Sequence, residues 1–162
     1  LFFGFSLQTC AIAALTLFLI PLFLLDLRYK ILPDVITLPG LAVAVGVGVA
    51  SQRSFESLLI GGILGAGFFA LQYAVSRGKW IGDGDIRLGG IMGLALGWQL
   101  ALVALALAYI AGAIISVPLL LTQKKQWTSE IPFGVFLTLA TYTVLLWGDA
   151  LLLWYLQTLG VV

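Results

Sequence analysis

Seven carboxylates, Asp26, Asp34, Glu56, Asp83, Asp85, Glu130 and Asp149, are the side chains best able to do acid–base chemistry in this sequence, which has no histidine and a single cysteine, Cys10. Without imidazole there is no Ser-His or Cys-His catalysis and no His-ligated zinc. One cysteine builds neither an internal disulfide nor a Cys-rich metal cluster. A pair of aspartates can still hydrolyse a peptide bond: one takes a proton from water while the other, kept protonated, polarises the scissile carbonyl. Like charges at hydrogen-bond distance cannot both be ionised, so such a pair shares a proton and titrates as a unit.

The elements that must carry these acids are membrane spans. Apolar residues make up 62% of the 162 residues and charged ones 9%, against roughly 45–50% and 25% in water-soluble domains. Mean hydropathy is +1.15. A net charge of +1 without clustered basic residues gives no support for nucleic-acid binding. A crossing helix takes about 20 mostly apolar residues. That template predicts an all-α, polytopic single domain over 1–162 with six transmembrane helices, at about 7–25, 36–50, 55–74, 88–97, 100–121 and 131–154. The fourth and fifth come from one long apolar run, Leu88 to Leu121, divided by a tight turn at Gly97-Trp98-Gln99. The first stretch lacks the basic start and small-residue cleavage site of a signal peptide. The sequence opens on Leu1 rather than methionine, which leaves an upstream segment open.

Loop charge tests the count, because Lys and Arg concentrate in cytoplasmic loops. Arg28 and Lys30, then Arg77, Lys79 and Arg87, then Lys124 and Lys125 fall in loops of one parity, and only Arg53 falls in the other. Both termini are therefore expected on the non-cytoplasmic side. Gly61, Gly62, Gly65 and Gly67 on the third span and Gly89, Gly90, Gly93 and Gly97 on the fourth have the small-residue spacing that lets membrane helices approach closely, so these two spans are expected to be neighbours.

On this plan Asp26 closes the first span and Asp85 opens the fourth, and the two crossings between them return both to the cytoplasmic side. Ionisable groups at the edge of a bilayer default to a functional reading when a partner can be named. The alternative makes Asp26 and Asp85 helix-end residues paired with Arg28 and Arg87. Asp34, after Leu32-Pro33, suits the N-cap of the second helix. Asp83 reads as a turn residue, Glu56 and Asp149 as solvated outer acids, and Glu130 as a cap or a site-facing acid. Cys10 reads as a small buried apolar residue, and Trp98, Trp147 and Trp154 as interfacial anchors. Gly82 and Gly84, flanking Asp83 ahead of Asp85, leave room for a substrate backbone to approach.

Gly82-Asp83-Gly84-Asp85-Ile86-Arg87-Leu88 resembles the Gly-x-Gly-Asp-x-Lys-Leu signature of type IV prepilin peptidases, the membrane aspartic proteases of the GxGD type. Asp26 through Pro39, with its Leu32-Pro33-Asp34 and Thr37-Leu38-Pro39 steps, is similar to that family's first-aspartate segment, and Ile131-Pro132-Phe133-Gly134 resembles a third element near its last helix. The resemblance covers nearly the whole chain, with Arg87 standing where lysine is usual. It implies an aspartic endopeptidase of a bacterial cytoplasmic membrane that removes short basic leader peptides from prepilins or pseudopilins, after a glycine, on the cytoplasmic side. Asp26 and Asp85 match its catalytic aspartates; Pro33, Asp34, Gly82 and Gly84 match motif positions that shape the site. No metal and no cofactor is implied for proteolysis. Many members also methylate the new amino terminus with S-adenosylmethionine and carry an upstream region with paired cysteines; this sequence has one cysteine, so methyl transfer is not assigned.

Two readings of other classes compete: a small proton-coupled transporter, since intramembrane carboxylates also relay protons, and a non-enzymatic assembly factor of a pilus or secretion apparatus that uses its glycine faces to bind partners. The transporter reading is weakened by acids that gather at helix ends rather than near the midplane.

Overall fold

Ser6 starts the first helix with its hydroxyl, which accepts the backbone N–H of Thr9 at 3.2 Å, and Lys30, at φ 55°, ends it in the left-handed conformation with its N–H bonded to the Asp26 carbonyl. In this computed structural model, which describes residues 6–121, 132–158 and 160, that helix is α1 (Leu7–Tyr29), and it is followed by α2 (Asp34–Ala50), α3 (Phe55–Ser76), α4 (Asp83–Leu121) and α5 (Phe133–Thr158). The described residues are all-helical apart from their connections. α1, α3, α5 and the Asp83–Pro118 part of α4 are long and apolar enough to cross a membrane, while α2, at 17 residues, is shorter. The expected segment carrying Lys124, Lys125 and Glu130, and the expected start of the last span at Ile131, lie outside the described residues.

α4, 39 residues long, contains the expected pair of helices, joined at its one non-helical residue, Gly97, at φ 73° and ψ 168°. A straight helix of that length would run about 58 Å, roughly twice the hydrocarbon thickness of a bilayer. The chain instead reverses at Gly97. Before the break, Gly89 lies against Gly65 and Phe69, and Gly97 itself lies against Ser57; after it, Tyr109 lies against Phe68 and hydrogen-bonds Gln72. Both limbs of α4 thus run along α3 in opposite directions. Gly97 meets two demands at once, a positive φ that favours glycine and a neighbour, Ser57 Oγ, 2.6 Å from where a Cβ would stand.

The glycine faces of α3 and the first limb of α4 interlock as their spacing predicts. A Cβ on Gly61 would stand 2.5 Å from the Gly93 carbonyl oxygen, and one on Gly65 would collide with the Gly89 carbonyl. Gly67 has open space around it, so the packing reading does not extend to it. The core between the helices is built from Leu15, Leu22, Phe69, Leu88, Ile91, Met92 and Leu137. Leu17, Ile63 and Ile114 point outward with 64–72% exposure, an arrangement costly in water and natural against lipid.

Several local expectations change. Cys10 is exposed on the outside of α1 rather than buried, because the run around it is apolar on every face and only packing selects which face is covered. Asp34 is the first residue of α2 and not its N-cap; the N-cap is Pro33, which makes no side-chain cap, and the Asp34 carboxylate turns to Arg87 at 2.6 Å. Asp83 is the first residue of α4 rather than a turn residue, and it pairs with Arg87 one turn on, at 3.3 Å. Asp149 holds Arg53, the basic residue of opposite parity, at 2.7 and 2.9 Å.

Candidate active site

Four helix ends meet at one place: the last turn of α1, the start of α2 and the starts of α4 and α5 enclose a cavity of about 440 Å³ lined by Asp26, Pro33, Asp34, Gly82, Gly84 and Asp85, among others. Every site residue expected from the sequence therefore borders a single space. Lys30 and Lys79 border it too. Asp26 and Asp85, in different helices, are 6% and 7% exposed and close enough for their charges to interact. The alternative that pairs Asp85 with Arg87 does not hold, since that guanidinium goes to Asp34 and Asp83; Arg28 lies over the Tyr29 ring, 5.6 Å from its centroid.

Each aspartate is fixed by backbone. Asp26 Oδ2 accepts the Val135 N–H at 2.8 Å, one of the free donors that a helix start provides. A Cβ on Gly134 would stand 2.8 Å from the same oxygen and 3.0 Å from Cγ, so only glycine lets α5 approach this closely. The sequence singled out Ile131-Pro132-Phe133-Gly134 as a motif without a role; its Gly134 is what lets the start of α5 lie against Asp26. Asp85 Oδ2 accepts the Gly82 N–H at 3.1 Å, while Asp85 N–H returns to the Gly82 carbonyl at 3.2 Å. The other carboxylate oxygen, Asp85 Oδ1, is buried with no hydrogen-bond partner, a property it shares among the described residues with Thr37 Oγ1. Leaving such an oxygen unpaired costs roughly 1–3 kcal/mol, which a water or a substrate group in the cavity would recover.

The two motif glycines do different things. A Cβ on Gly84 would stand 2.5 Å from the Cβ of Leu32, so Gly84 is where the α1–α2 connection lies directly on α4. Gly82 is exposed to the cavity, and nothing stands closer than 3.7 Å to its would-be Cβ. Behind α5, Phe133 packs against Tyr109 and Phe69 with ring centroids 4.8 and 5.7 Å apart, and Tyr109 exchanges hydrogen bonds with Gln72 at 2.8 and 3.0 Å. These rings hold the start of α5, hence the donor to Asp26. No sequence signal marked Tyr109 or Gln72. Among the described residues no group of His, Cys, Asp and Glu side chains is arranged to hold a metal ion.

Residues 13–117 match the model of the Type IV leader peptidase family. The chain is 32% identical over 160 residues to a prepilin leader peptidase/N-methyltransferase of Stutzerimonas stutzeri, covering 96% of this chain and 55% of the relative. It is 33% identical over 161 residues to the protein of that name from Legionella pneumophila (95% and 55%), and 34% identical over 153 residues to that of Aeromonas hydrophila (91% and 53%). The chain thus spans about half the length of these relatives. No solved structure gives a significant match. With two thirds of its length matched by one family model and near-complete alignment to these relatives, this multi-pass membrane protein belongs to the Type IV leader peptidase family.

Proposed function

We propose that this chain is an intramembrane aspartic endopeptidase that removes the short basic leader of prepilins or pseudopilins, cutting after a glycine on the cytoplasmic side of a bacterial inner membrane. The observation that carries this reading is the shared cavity: Asp26 and Asp85 border one space, each is pinned by a backbone N–H through one oxygen, and Asp85 keeps a second oxygen unpaired. Six crossings with both termini outside accord with the chain reversal at Gly97 and with the Lys and Arg bias of the loops.

In this mechanism the pair holds one proton. The unprotonated aspartate takes a proton from water as the water oxygen bonds to the scissile carbonyl carbon, and the protonated one gives its proton to the carbonyl oxygen. The resulting gem-diol collapses: the C–N bond breaks, the amine nitrogen takes a proton from the aspartate that received one, and the other aspartate recovers its own. Water is the only co-reactant. An extended stretch of substrate is needed, since a helical peptide bond is shielded by its own backbone; the exposed position of Gly82 leaves the cavity wall low where such a stretch would pass.

Methyl transfer, named for the relatives, is not part of this proposal. The apolar pocket between α1 and α5 offers no charged group to a methyl donor.

The test is cleavage of a prepilin in vesicles by the wild type beside Asp26→Asn and Asp85→Asn, with mass spectrometry of the new amino terminus. Loss of at least about 10³-fold in either variant, at unchanged membrane level, is expected for residues that act as one catalytic unit. Appreciable turnover by either variant overturns the pair.

A further inference from the structure

α1 and α5 touch at Asp26 and Val135 and separate one turn further along. There an apolar groove of about 370 Å³ opens between Leu19, Ile20 and Phe23 of α1 and Thr138, Leu139 and Tyr142 of α5. Its floor is buried, with Leu19 and Thr138 each 3% exposed, and its rims at Ile20 and Leu139 are half exposed. The Thr138 hydroxyl donates to the carbonyls of Gly134 and Val135 at 2.8 and 2.9 Å, which ties the groove floor to the backbone that holds Asp26. The volume has room for side chains of a helix laid across it rather than for the helix itself.

We propose that this groove receives the apolar transmembrane helix of the substrate, laid along the α1–α5 seam so that the extended residues next to that helix enter the cavity of Asp26 and Asp85. The proposal rests on the peptidase reading and adds where the substrate lies. Its ground is continuity: counting back from Asp26 on α1 and forward from Val135 on α5, the same seam passes from a cavity bordered by Asp34, Asp83, Lys30 and Lys79 to a groove with no charged residue. A substrate that is polar and extended on one side of the cut and an apolar helix on the other needs those two environments in that order, about one helical turn apart. A lipid chain would suit the groove but would have no reason to share a seam with the carboxylates.

The experiment places a photoreactive benzoylphenylalanine at Leu139, or at Ile63 on the outer face of α3 (64% exposed), in full-length Asp26→Asn protein inserted in vesicles with a prepilin. The expected result is an adduct from position 139, mapped by mass spectrometry to the apolar helix of the prepilin and at least about tenfold more abundant than from position 63. Adducts from 139 to lipid only, to a second copy of the chain, or no more abundant than from 63 overturn the proposal. Cleavage by the wild type is followed in parallel: cleavage without the adduct sinks the groove alone, whereas an adduct without cleavage sinks the peptidase reading and leaves the groove only as a binding site for that helix. As a second readout, Leu139→Trp should lower kcat/KM for the prepilin about tenfold, mainly through KM, with Leu139→Met restoring it; an unchanged KM counts against the groove.

Discussion

The backbone N–H of Val135 donates to the carboxylate of Asp26 across 109 residues of sequence, at 2.8 Å and out of reach of bulk water. One aspartate of the pair is thereby held by the start of the last helix and the other by its own approach loop, through Gly82. The spacing between the two carboxylates therefore depends on how α5 sits against α1. Side-chain substitutions that move α5 should move Asp26 without touching it.

Gly134→Ala is the most direct of these. The new methyl would stand 2.8 Å from Asp26 Oδ2 and 3.0 Å from Cγ, too close for either to stay. A displacement approaching 1 Å in a catalytic group can cost about 100-fold in rate, so prepilin cleavage in vesicles should fall by that order while the protein still inserts at normal levels. Near-normal cleavage would show that Asp26 is not held where this geometry has it.

The motif glycines should separate in the same assay. Gly84→Ala forces Leu32 away from the start of α4, an overpacking effect of about 1–3 kcal/mol that should appear as a lower melting temperature in detergent together with lost cleavage. Gly82→Ala meets nothing within 3.7 Å and should melt like the wild type. Any cleavage defect it shows then reports on the passage of substrate along the cavity wall rather than on folding.

A third contrast tests the interlock of α3 with the first limb of α4. Gly93→Ala would drive a methyl into the Gly61 carbonyl, whereas Gly46 and Gly67 have open space. Gly93→Ala should cost about 3 kcal/mol or more, since backbone rather than a flexible side chain must give way; Gly46→Ala and Gly67→Ala should stay near wild-type stability. Thermal unfolding in detergent, read by loss of monodisperse protein, distinguishes them.

These contrasts mark what a sequence can and cannot disclose here. Counting the two apolar stretches between them was enough to bring Asp26 and Asp85 to one end of the bundle, and the Gly97-Trp98-Gln99 step was enough to find the reversal inside a long apolar run, because both signals are local or countable. The partners of Asp26 were not legible, since a backbone N–H carries no side-chain signature. Nor was the destination of Arg87: Asp34 and Asp83 compete for it with Asp85, and only the packing of α2 against α4 decides between them. Cys10 was misjudged for a related reason, because in a chain apolar on all faces hydrophobicity does not distinguish bundle from lipid.

Tyr109 offers the sharpest test of remote positioning. Its ring supports Phe133, immediately ahead of the Gly134–Val135 step that seats Asp26, and its hydroxyl pairs with Gln72 on α3. Tyr109→Phe keeps the ring contact and leaves the Gln72 amide without this partner in an apolar setting, which costs about 0.6–2 kcal/mol in membrane helices; it should lower the melting temperature with only a small effect on kcat. Tyr109→Ala removes the support itself, and it should lower kcat for prepilin cleavage about tenfold or more with KM little changed, because α5 is then free to carry Val135 away from Asp26. If the two variants lose kcat equally, the hydrogen bond to Gln72 rather than the stack on Phe133 fixes the start of α5. If neither does, the position of Asp26 is set without Tyr109.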